Sequence, residues 1–219
     1  MPCALELCYI TDRRALEPRL LLPWIQEAIR VGVNLVQIRE KDLATRELLG
    51  LVGAAVDAAR ETTTRLVVND RLDVALAAGA AGVHLGTQSL PARVVRELVP
   101  RDFLVGVSCH SLEEALGAES GGADYVVLGP TFQTPSKLPY GPPLGLAKLR
   151  EVSAQVKIPV LALGGITVER VRACLEAGAA GIAGISIFQN CESLEGQVQQ
   201  LRAQFKHAIL PERTQRHKG

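Results

Sequence analysis

Short apolar runs alternate with longer amphipathic segments from one end of the chain to the other. The short runs are rich in Val, Ile and Leu, which is typical of strands that are buried on both faces of a parallel sheet. They predict strands at residues 5–11, 34–39, 65–69, 82–85, 104–108, 125–129, 160–163 and 181–185. Apolar residues at helical spacing predict helices at residues 19–31, 46–61, 71–78, 92–98, 112–120, 146–155, 168–177 and 194–209.

Polar residues and glycines support several of these boundaries. Ser111 followed by Glu114 predicts a capping box, and Thr45 and Thr167 are placed to cap the helices that follow them. Glycine is the residue that most often ends a helix. It stands at three predicted helix ends: Gly79, Gly121 and Gly178.

The alternation of strand and helix predicts a single (β/α)₈ TIM barrel. Parallel strands need a crossover connection, and eight strand–helix units are enough to close a barrel. A doubly wound open sheet is the alternative architecture. We expect one catalytic domain over residues 1–210 and a polar, basic C-terminal tail over residues 211–219.

The composition is that of a globular domain, and it argues against several classes of binding partner. The chain has 219 residues, of which 47% are hydrophobic and 21% charged, with a formal net charge of +1. A charge this small does not predict a nucleic-acid or membrane surface. The five cysteines are odd in number and widely spaced, which argues against a disulfide framework or a zinc site. With an N-terminus that has no basic start, this predicts a cytoplasmic protein; a homo-oligomer is left open.

In such a barrel, functional residues gather at the C-terminal ends of the strands. Side chains alternate along a strand, so Gln37 and Arg39 are expected to share one face and to point into the barrel near its mouth. A buried arginine needs a partner, and an anionic ligand is the natural one. The alternative is an internal ion pair with Glu40 or Asp70.

The next two strands carry Asp70 and His84. Asp70 is able to cap the following helix or to help bind Mg²⁺, which favours one or two carboxylates together with substrate phosphates. His84 lies within its strand, where a hydrogen-bonded core histidine is the favoured interpretation.

Ser108 comes at the end of the fifth strand, and His110 follows as a candidate acid, base or polar contact. Cys109 is adjacent to His110, but neighbours on a strand point to opposite faces, which disfavours a catalytic thiolate.

The remaining rim residues indicate phosphate binding. The long loop over residues 130–144 contains Thr134, Ser136 and Lys137, which suit a phosphate clamp, although a solvated surface loop is the alternative. Gly165 follows the seventh strand and Ser186 the eighth, where barrels of this class commonly bind a phosphate through backbone N–H groups.

These segments together resemble the thiamine phosphate synthase superfamily. The resemblance runs from about Tyr9 to Phe188 and rests on "VQIREK", "VVNDRLDVALAAGAAGVHLG", "VGVSCHSLEEA", "GADYVVLGPTFQTPSK" and "PVLALGGIT". It implies a synthase that joins hydroxymethylpyrimidine diphosphate to a thiazole phosphate and releases diphosphate with the help of Mg²⁺. A second branch of the superfamily, the thiazole tautomerases, only aromatises the thiazole phosphate.

The resemblance also implies roles for individual residues. Gln37 and Ser108 look like the pyrimidine contacts of the synthase. The matching diphosphate ligands are Arg39, Lys41, Asn69 and Lys137, and the matching thiazole-phosphate pocket is Thr134, Ser136, Gly165 and Ser186. Asp70 matches one Mg²⁺ ligand, and His110 falls where the tautomerase branch has a catalytic histidine.

Three positions depart from the synthase pattern. Ser89 stands where the synthase has a second Mg²⁺ carboxylate, and its "SLP" context looks more like the tautomerase branch. Ile187 and Phe188 follow Ser186 where the family usually has an extra small residue, and Gln133 replaces a usual proline.

The retained cationic residues favour the synthase, because a departing diphosphate builds negative charge that Arg39, Lys41, Lys137 and Mg²⁺ would stabilise. The tautomerase is the second hypothesis. The third is a catalytically silent barrel that binds thiamine precursors as a regulator.

Overall fold

The strands close into one parallel barrel. The computed structural model describes residues 5–134 and 142–208. Within them the strands are β1 Leu7–Ile10, β2 Leu35–Ile38, β3 Arg65–Asn69, β4 Gly82–Leu85, β5 Leu104–Cys109, β6 Tyr125–Leu128, β7 Val160–Leu163 and β8 Gly181–Gly184. Each strand pairs with the next in sequence and β1 pairs with β8, all in parallel. The (β/α)₈ prediction is therefore confirmed, and the open doubly wound sheet is excluded.

Helices follow the strands and cover the outside of the barrel. They are α1 Arg13–Leu16, α2 Leu21–Arg30, α3 Thr45–Ala59, α4 Leu72–Ala77, α5 Ala92–Leu98, α6 Leu112–Ser120, α7 Gly145–Gln155, α8 Val168–Glu176, α9 Ser186–Gln189 and α10 Leu194–Ala208. All eight predicted helices are present with small shifts at their ends. The sequence missed α1 and α9, because four residues are too few to show a helical period.

Two apolar clusters fill the two sides of the strands. The larger lies between the strands and the helices, and the smaller fills the barrel interior with residues such as Cys8, Leu35, Val67, Tyr125 and Leu161. Because side chains alternate, an inward Leu35 also turns Gln37 inward. The interior packing thus decides which polar residues reach the mouth.

The predicted helix ends need correction in detail. Ser111 Oγ accepts from the Glu114 N–H at 3.1 Å, but the Glu114 carboxylate accepts from His110 N–H instead of completing the capping box. Thr45 is the first residue of α3 rather than its cap, and Thr167 precedes α8 without a capping side-chain bond. Left-handed glycines end the helices as expected at Gly79 and Gly178, whereas after α6 this conformation belongs to Gly122 and not to Gly121.

At the N-terminal end of the barrel, a polar network joins α5 to β5 and β6. Asp124 accepts from the Arg96 guanidinium at 2.5 Å and from the Val105 N–H at 2.7 Å. Arg96 also donates to the carbonyls of Gly122 and Phe103. This end is opposite the mouth, so the network has a structural role.

Helix α10 is the last element that the structure describes, so the predicted boundary at residue 210 and the tail lie outside the described residues. In the part of the chain that is described, no helix combines the length and the apolar character needed to cross a lipid bilayer.

Candidate active site

Gln37 is the buried polar side chain at the mouth of the barrel. It is only 2% exposed, and its Nε2 donates to Asn69 Oδ1 at 3.1 Å. Its Oε1 has no hydrogen-bond partner among the described residues. A buried acceptor without a donor costs about 1–3 kcal/mol, so this oxygen is suited to accept a hydrogen bond from a ligand.

Arg39 follows the end of β2, where the barrel opens. It is half-buried, not buried as the sequence predicted, because β2 ends one residue earlier. The alternative of an internal ion pair is not observed among the described residues. Glu40 instead accepts from Thr11 Oγ1 at 2.6 Å and from the Arg13 N–H at 3.2 Å. The Arg39 guanidinium therefore remains available for an anion.

Glu40 is buried beside the mouth, where local hydrogen bonds engage its carboxylate. It is 5% exposed, and burial raises the pKa of its carboxyl above the ordinary value. The hydrogen bonds from Thr11 and Arg13 oppose that shift. Glu40 fixes the backbone between β1 and α1, while the neighbouring Lys41 is exposed.

Asp70 stands in a strained turn directly after β3. It has a left-handed backbone with φ of 65°, and its N–H donates to the His84 carbonyl at 2.8 Å. The predicted helix cap is not formed, since Arg71 is the residue before α4 and no side chain caps that helix. The Asp70 carboxylate is exposed, so it is free of the helix and accessible at the mouth.

A cleft of about 260 Å³ is lined by Glu40 and Asp70, but by neither Gln37 nor Arg39. It lies between the ends of β2 and β3 and is lined by Ile38, Glu40, Lys41, Leu43, Leu48, Asn69, Asp70 and Arg71. Arg71 is held by Asp73 in a bidentate pair and also contacts Thr45. Two cations, one free carboxylate and one amide therefore face a single cleft, which suits a phosphate group with an associated cation.

Ser89 closes the turn after β4. Its Oγ accepts from the Gly86 N–H at 2.8 Å, so one lone pair of the predicted metal ligand serves the local turn. Among the described residues, no three Asp, Glu, His or Cys side chains cluster in a way that could hold a metal ion. The donor set fits Mg²⁺ only as Asp70 together with oxygens from a phosphorylated substrate.

His84 lies inside the barrel, between Ser108 and Tyr125. Its Nε2 is 2.9 Å from Ser108 Oγ, and its Nδ1 is 3.1 Å from Tyr125 Oη. Burial lowers its pKa from 6.5 to about 3, which keeps the ring neutral. The prediction of a hydrogen-bonded core histidine agrees with these contacts.

His110 lies exposed at the end of β5. Its Nδ1 is 2.5 Å from the Gly129 carbonyl, so the ring carries its proton on Nδ1 and Nε2 is left as an acceptor. The adjacent Cys109 is buried on the helix side, and burial raises its pKa to about 12. Cys109 is therefore a thiol, as the strand alternation predicted.

The loops after β6 and β7 run together at the rim. The N–H groups of Thr131 and Phe132 donate to the carbonyls of Leu163 and Gly164. Arg170 donates to the Gly165 carbonyl at 2.7 Å, and its guanidinium lies 4.7 Å from the Phe132 ring centre. These contacts hold Gly165 in a left-handed conformation with φ of 63°.

Two of the predicted thiazole-phosphate residues, Gly165 and Ser186, lie at this rim in the described chain. The pairing of β7 with β8 brings Gly165 beside the end of β8, where Ser186 is exposed as the first residue of α9. Thr134 is the last described residue before the gap in the loop. Ser136 and Lys137 lie outside the described residues.

The fold and these groups define a class: a TIM-barrel enzyme whose C-terminal mouth handles phosphorylated small molecules. The model of the thiamine monophosphate synthase family matches residues 7–188, and the chain belongs to this family.

Similar proteins, compared by sequence and by structure, agree with this family membership. The chain is 40% identical to the thiamine-phosphate synthase of Syntrophomonas wolfei, covering 90% of this chain and 94% of that protein. It is also 40% identical to the thiamine-phosphate synthase of Roseiflexus sp. strain RS-1, over 91% and 85% of the two chains. Thiamine phosphate pyrophosphorylase from Pyrococcus furiosus has a similar structure, with a TM-score of 0.85, 38% identity and coverage of 94% and 98%.

Sequence reasoning missed two groups at the site. Arg71 follows Asp70 directly and lines the cleft, but only the fold shows that its side chain turns back toward α3. Tyr125 was identified only as a strand residue. Its alternation with inward Val127 was the available signal, but the contact with His84 spans 41 residues of sequence.

Proposed function

We propose that this protein is a thiamine-phosphate synthase that joins hydroxymethylpyrimidine diphosphate to thiazole phosphate. In the reaction, the bond between the pyrimidine methylene carbon and the diphosphate oxygen breaks, and diphosphate leaves with the electron pair. A bond forms from the thiazole nitrogen to that carbon. The single observation that carries the proposal is the cleft in which Lys41, Asn69, Asp70 and Arg71 lie together.

Each end of the diphosphate substrate has matching groups. Gln37 Oε1 is a buried acceptor with no partner among the described residues, which suits the amino group of a pyrimidine. Arg39 and Lys41 follow it on the same strand end and supply positive charge toward the leaving diphosphate. Lys137 is proposed as a further ligand from the sequence alone. We propose that the thiazole phosphate binds near Gly165 and Ser186, and from the sequence alone we add Thr134 and Ser136 as ligands.

Magnesium is part of the proposal as a cation that arrives with the substrate. Asp70 would hold it, with Ser89 as a neutral neighbour, and the diphosphate oxygens would complete the set. When bound, Mg²⁺ supplies charge that stabilises the leaving group. Arg39 and Lys41 orient the diphosphate from the protein side.

We also propose a cytoplasmic location for the protein. The described cysteines Cys8, Cys109, Cys174 and Cys191 are all free thiols, which suits a reducing compartment.

Thiazole tautomerase activity is the second candidate, and His110 is the observation that favours it. Its Nδ1 lies 2.5 Å from the Gly129 carbonyl, so Nε2 is the ring nitrogen that does not take part in this contact at the exposed rim. A tautomerase needs one such proton carrier and no diphosphate site.

One assay separates the candidates. Purified protein is incubated with hydroxymethylpyrimidine diphosphate, thiazole phosphate and Mg²⁺, and diphosphate release is followed. The synthase releases diphosphate and stops when EDTA is added. A tautomerase turns over the non-aromatic thiazole phosphate in EDTA and loses that activity in His110→Ala. A barrel that only binds precursors gives neither activity but retains affinity for thiazole phosphate.

A further inference from the structure

Three side chains form a hydrogen-bonded line through the barrel, from its centre to its mouth. Tyr125 from β6, His84 from β4 and Ser108 from β5 are joined by contacts of 3.1 and 2.9 Å. Tyr125 and His84 are buried, whereas Ser108 is half-buried at the end nearest the mouth. One end of the line is therefore closed to solvent and the other is open.

Gly106 makes the inner contact possible. A Cβ at this position would lie 2.1 Å from Tyr125 Cζ and 2.6 Å from His84 Nδ1. Any other residue at position 106 would force these two side chains apart. The absence of a side chain at Gly106 therefore leaves the space on β5 that the Tyr125–His84 hydrogen bond needs.

The direction of the hydrogen bonds follows from where protons can go. The neutral ring has one N–H and one acceptor nitrogen. If Nδ1 carried the proton, it would donate to Tyr125, and the buried Tyr125 hydroxyl proton would have no acceptor among the described residues. If Nε2 carries it, Tyr125 donates to Nδ1, and Nε2–H donates to Ser108 Oγ. The second arrangement leaves only the half-exposed Ser108 proton unpaired, and it avoids an unpaired buried donor.

We propose that Tyr125 and His84 are positioning residues that hold the Ser108 hydroxyl as a hydrogen-bond donor to the substrate. Tyr125 fixes the tautomer of His84, and His84 occupies a lone pair of Ser108 so that the hydroxyl proton points away from the ring. The identity of the substrate in this inference rests on the proposed function. The direction of the hydrogen bonds does not depend on it.

The arrangement also sets what the substrate must present. Gln37 on β2 offers an unpaired acceptor, and Ser108 on β5 offers a donor from another side of the same mouth. A ring that carries both an amino donor and an unprotonated nitrogen acceptor satisfies both groups. An aminopyrimidine has this chemistry, whereas a ring with a carbonyl in place of the amino group would leave Gln37 unpaired.

The tautomer is tested first, without substrate. The chain has four histidines, so the ¹⁵N spectrum of the imidazole nitrogens can be assigned by single substitutions. We expect Nε2 of His84 to be protonated and Nδ1 to be unprotonated in the wild-type protein. Tyr125→Phe removes the donor to Nδ1, leaves one ring nitrogen unpaired in either tautomer, and should give a mixture. Tyr9→Phe is the matched control, because Tyr9 Oη is also buried but has no partner among the described residues.

The kinetic test asks whether His84 acts through Ser108. His84→Asn shortens the side chain away from Ser108, and we expect kcat/KM for the pyrimidine substrate to fall by roughly three- to tenfold, as in Ser108→Ala. In the Ser108→Ala background, His84→Asn should have no further effect. His84→Gln places an amide N–H near the position of Nε2 and should restore part of the loss. Affinity for thiazole phosphate should stay unchanged throughout.

The experimental outcomes distinguish failure of the positioning inference from failure of the proposed synthase function. A protonated Nδ1 in the wild-type protein overturns the inference, whatever the enzyme does, and does so even if the His84 variants fail to fold. If His84→Asn lowers kcat/KM by the same factor in the wild-type and the Ser108→Ala backgrounds, the positioning role of His84 is overturned. Identical spectra for wild type and Tyr125→Phe overturn the role of Tyr125. Absence of diphosphate release from the wild-type protein refutes the proposed function and leaves the assigned tautomer standing.

Discussion

Arg39 and Asp70 show how single side chains at the mouth differ from charged residues elsewhere on the barrel. Several surface arginines form ion pairs, as Arg172 does with Glu176 at 2.8 Å. Neither Arg39 nor the Asp70 carboxylate has an ion pair among the described residues. Unpaired charges of opposite sign at adjacent strand ends are suited to an anion that brings its own cation.

Arg39→Lys should be damaging although it keeps the charge. Lysine loses the planar fork that binds two phosphate oxygens at once, so we expect a cost of about 1.5–3 kcal/mol. That corresponds to a fall of roughly 10- to 100-fold in kcat/KM for the diphosphate substrate. Arg172→Lys on α8 is the matched control and should leave the rate unchanged. An Arg39→Lys enzyme with full efficiency would place the diphosphate elsewhere.

The Mg²⁺ requirement should depend on Asp70 and Ser89. Asp70→Asn removes the carboxylate but tolerates the left-handed backbone, so it should nearly abolish synthase activity and spare the fold. Ser89→Asp adds a second carboxylate and should lower the Mg²⁺ concentration needed for half-maximal activity. A Mg²⁺ titration of the wild type and both variants measures this. Little Mg²⁺ should bind to the wild-type protein without diphosphate; tight binding to the free protein contradicts the prediction.

The loops after β6 and β7 are hydrogen-bonded to each other and closely packed. A Cβ at Gly165 would lie 2.7 Å from the Gln133 carbonyl and 2.8 Å from Phe132 Cβ, on a backbone that side chains rarely adopt. Substitution of Gly165 therefore disturbs both loops and does not test phosphate binding by itself. Ser186→Ala is the cleaner probe of the rim, because Ser186 is exposed and shares no hydrogen bond with the described residues of those loops.

The Arg96 network predicts a change in stability without a change in activity. Arg96→Ala leaves Asp124 partly buried without its cation and should lower the free energy of unfolding by about 2 kcal/mol. Arg93→Ala on the same helix breaks only an exposed pair with Glu97 and should cost less than about 0.5 kcal/mol. Urea unfolding measures both. Because Arg96 lies at the end opposite the mouth, kcat should be unchanged; a loss of kcat at full folding would contradict this division.

At the scale of the whole molecule, the barrel separates stability from chemistry. The N-terminal end is tied by Arg96 and Asp124, and the C-terminal mouth carries Gln37 Oε1, which has no hydrogen-bond partner among the described residues. His84 is buried in the interior packing and also contacts Ser108 at the mouth. Its protonation therefore affects the stability of the entire fold.

Acid should destabilise the protein through His84. The pKa of this ring is about 3 in the folded chain and near 6.5 when unfolded, so between these values only the unfolded chain binds the proton. The free energy of unfolding should fall by about 1.4 kcal/mol for each pH unit below 6.5. Glu40 acts in the opposite sense, because its raised pKa favours the folded state as pH falls.

The difference between wild type and His84→Gln isolates this effect, since both carry Glu40. Urea unfolding between about pH 7 and pH 5 should give a steeper slope for the wild type. Equal slopes for the two proteins would show that His84 is protonated in the folded chain.

The local pattern of the sequence was enough to predict the eight strands, the eight longer helices and the closed barrel. Alternation along β2 was enough to turn Gln37 inward, because an inward Leu35 forces it. Which side chains pair with one another at the mouth is visible only in the folded barrel. Glu40 bonds to Thr11 instead of Arg39, and His84 is placed between Tyr125 and Ser108 across three strands. Such partners are distant in sequence and depend on barrel closure and register, which a local pattern does not encode.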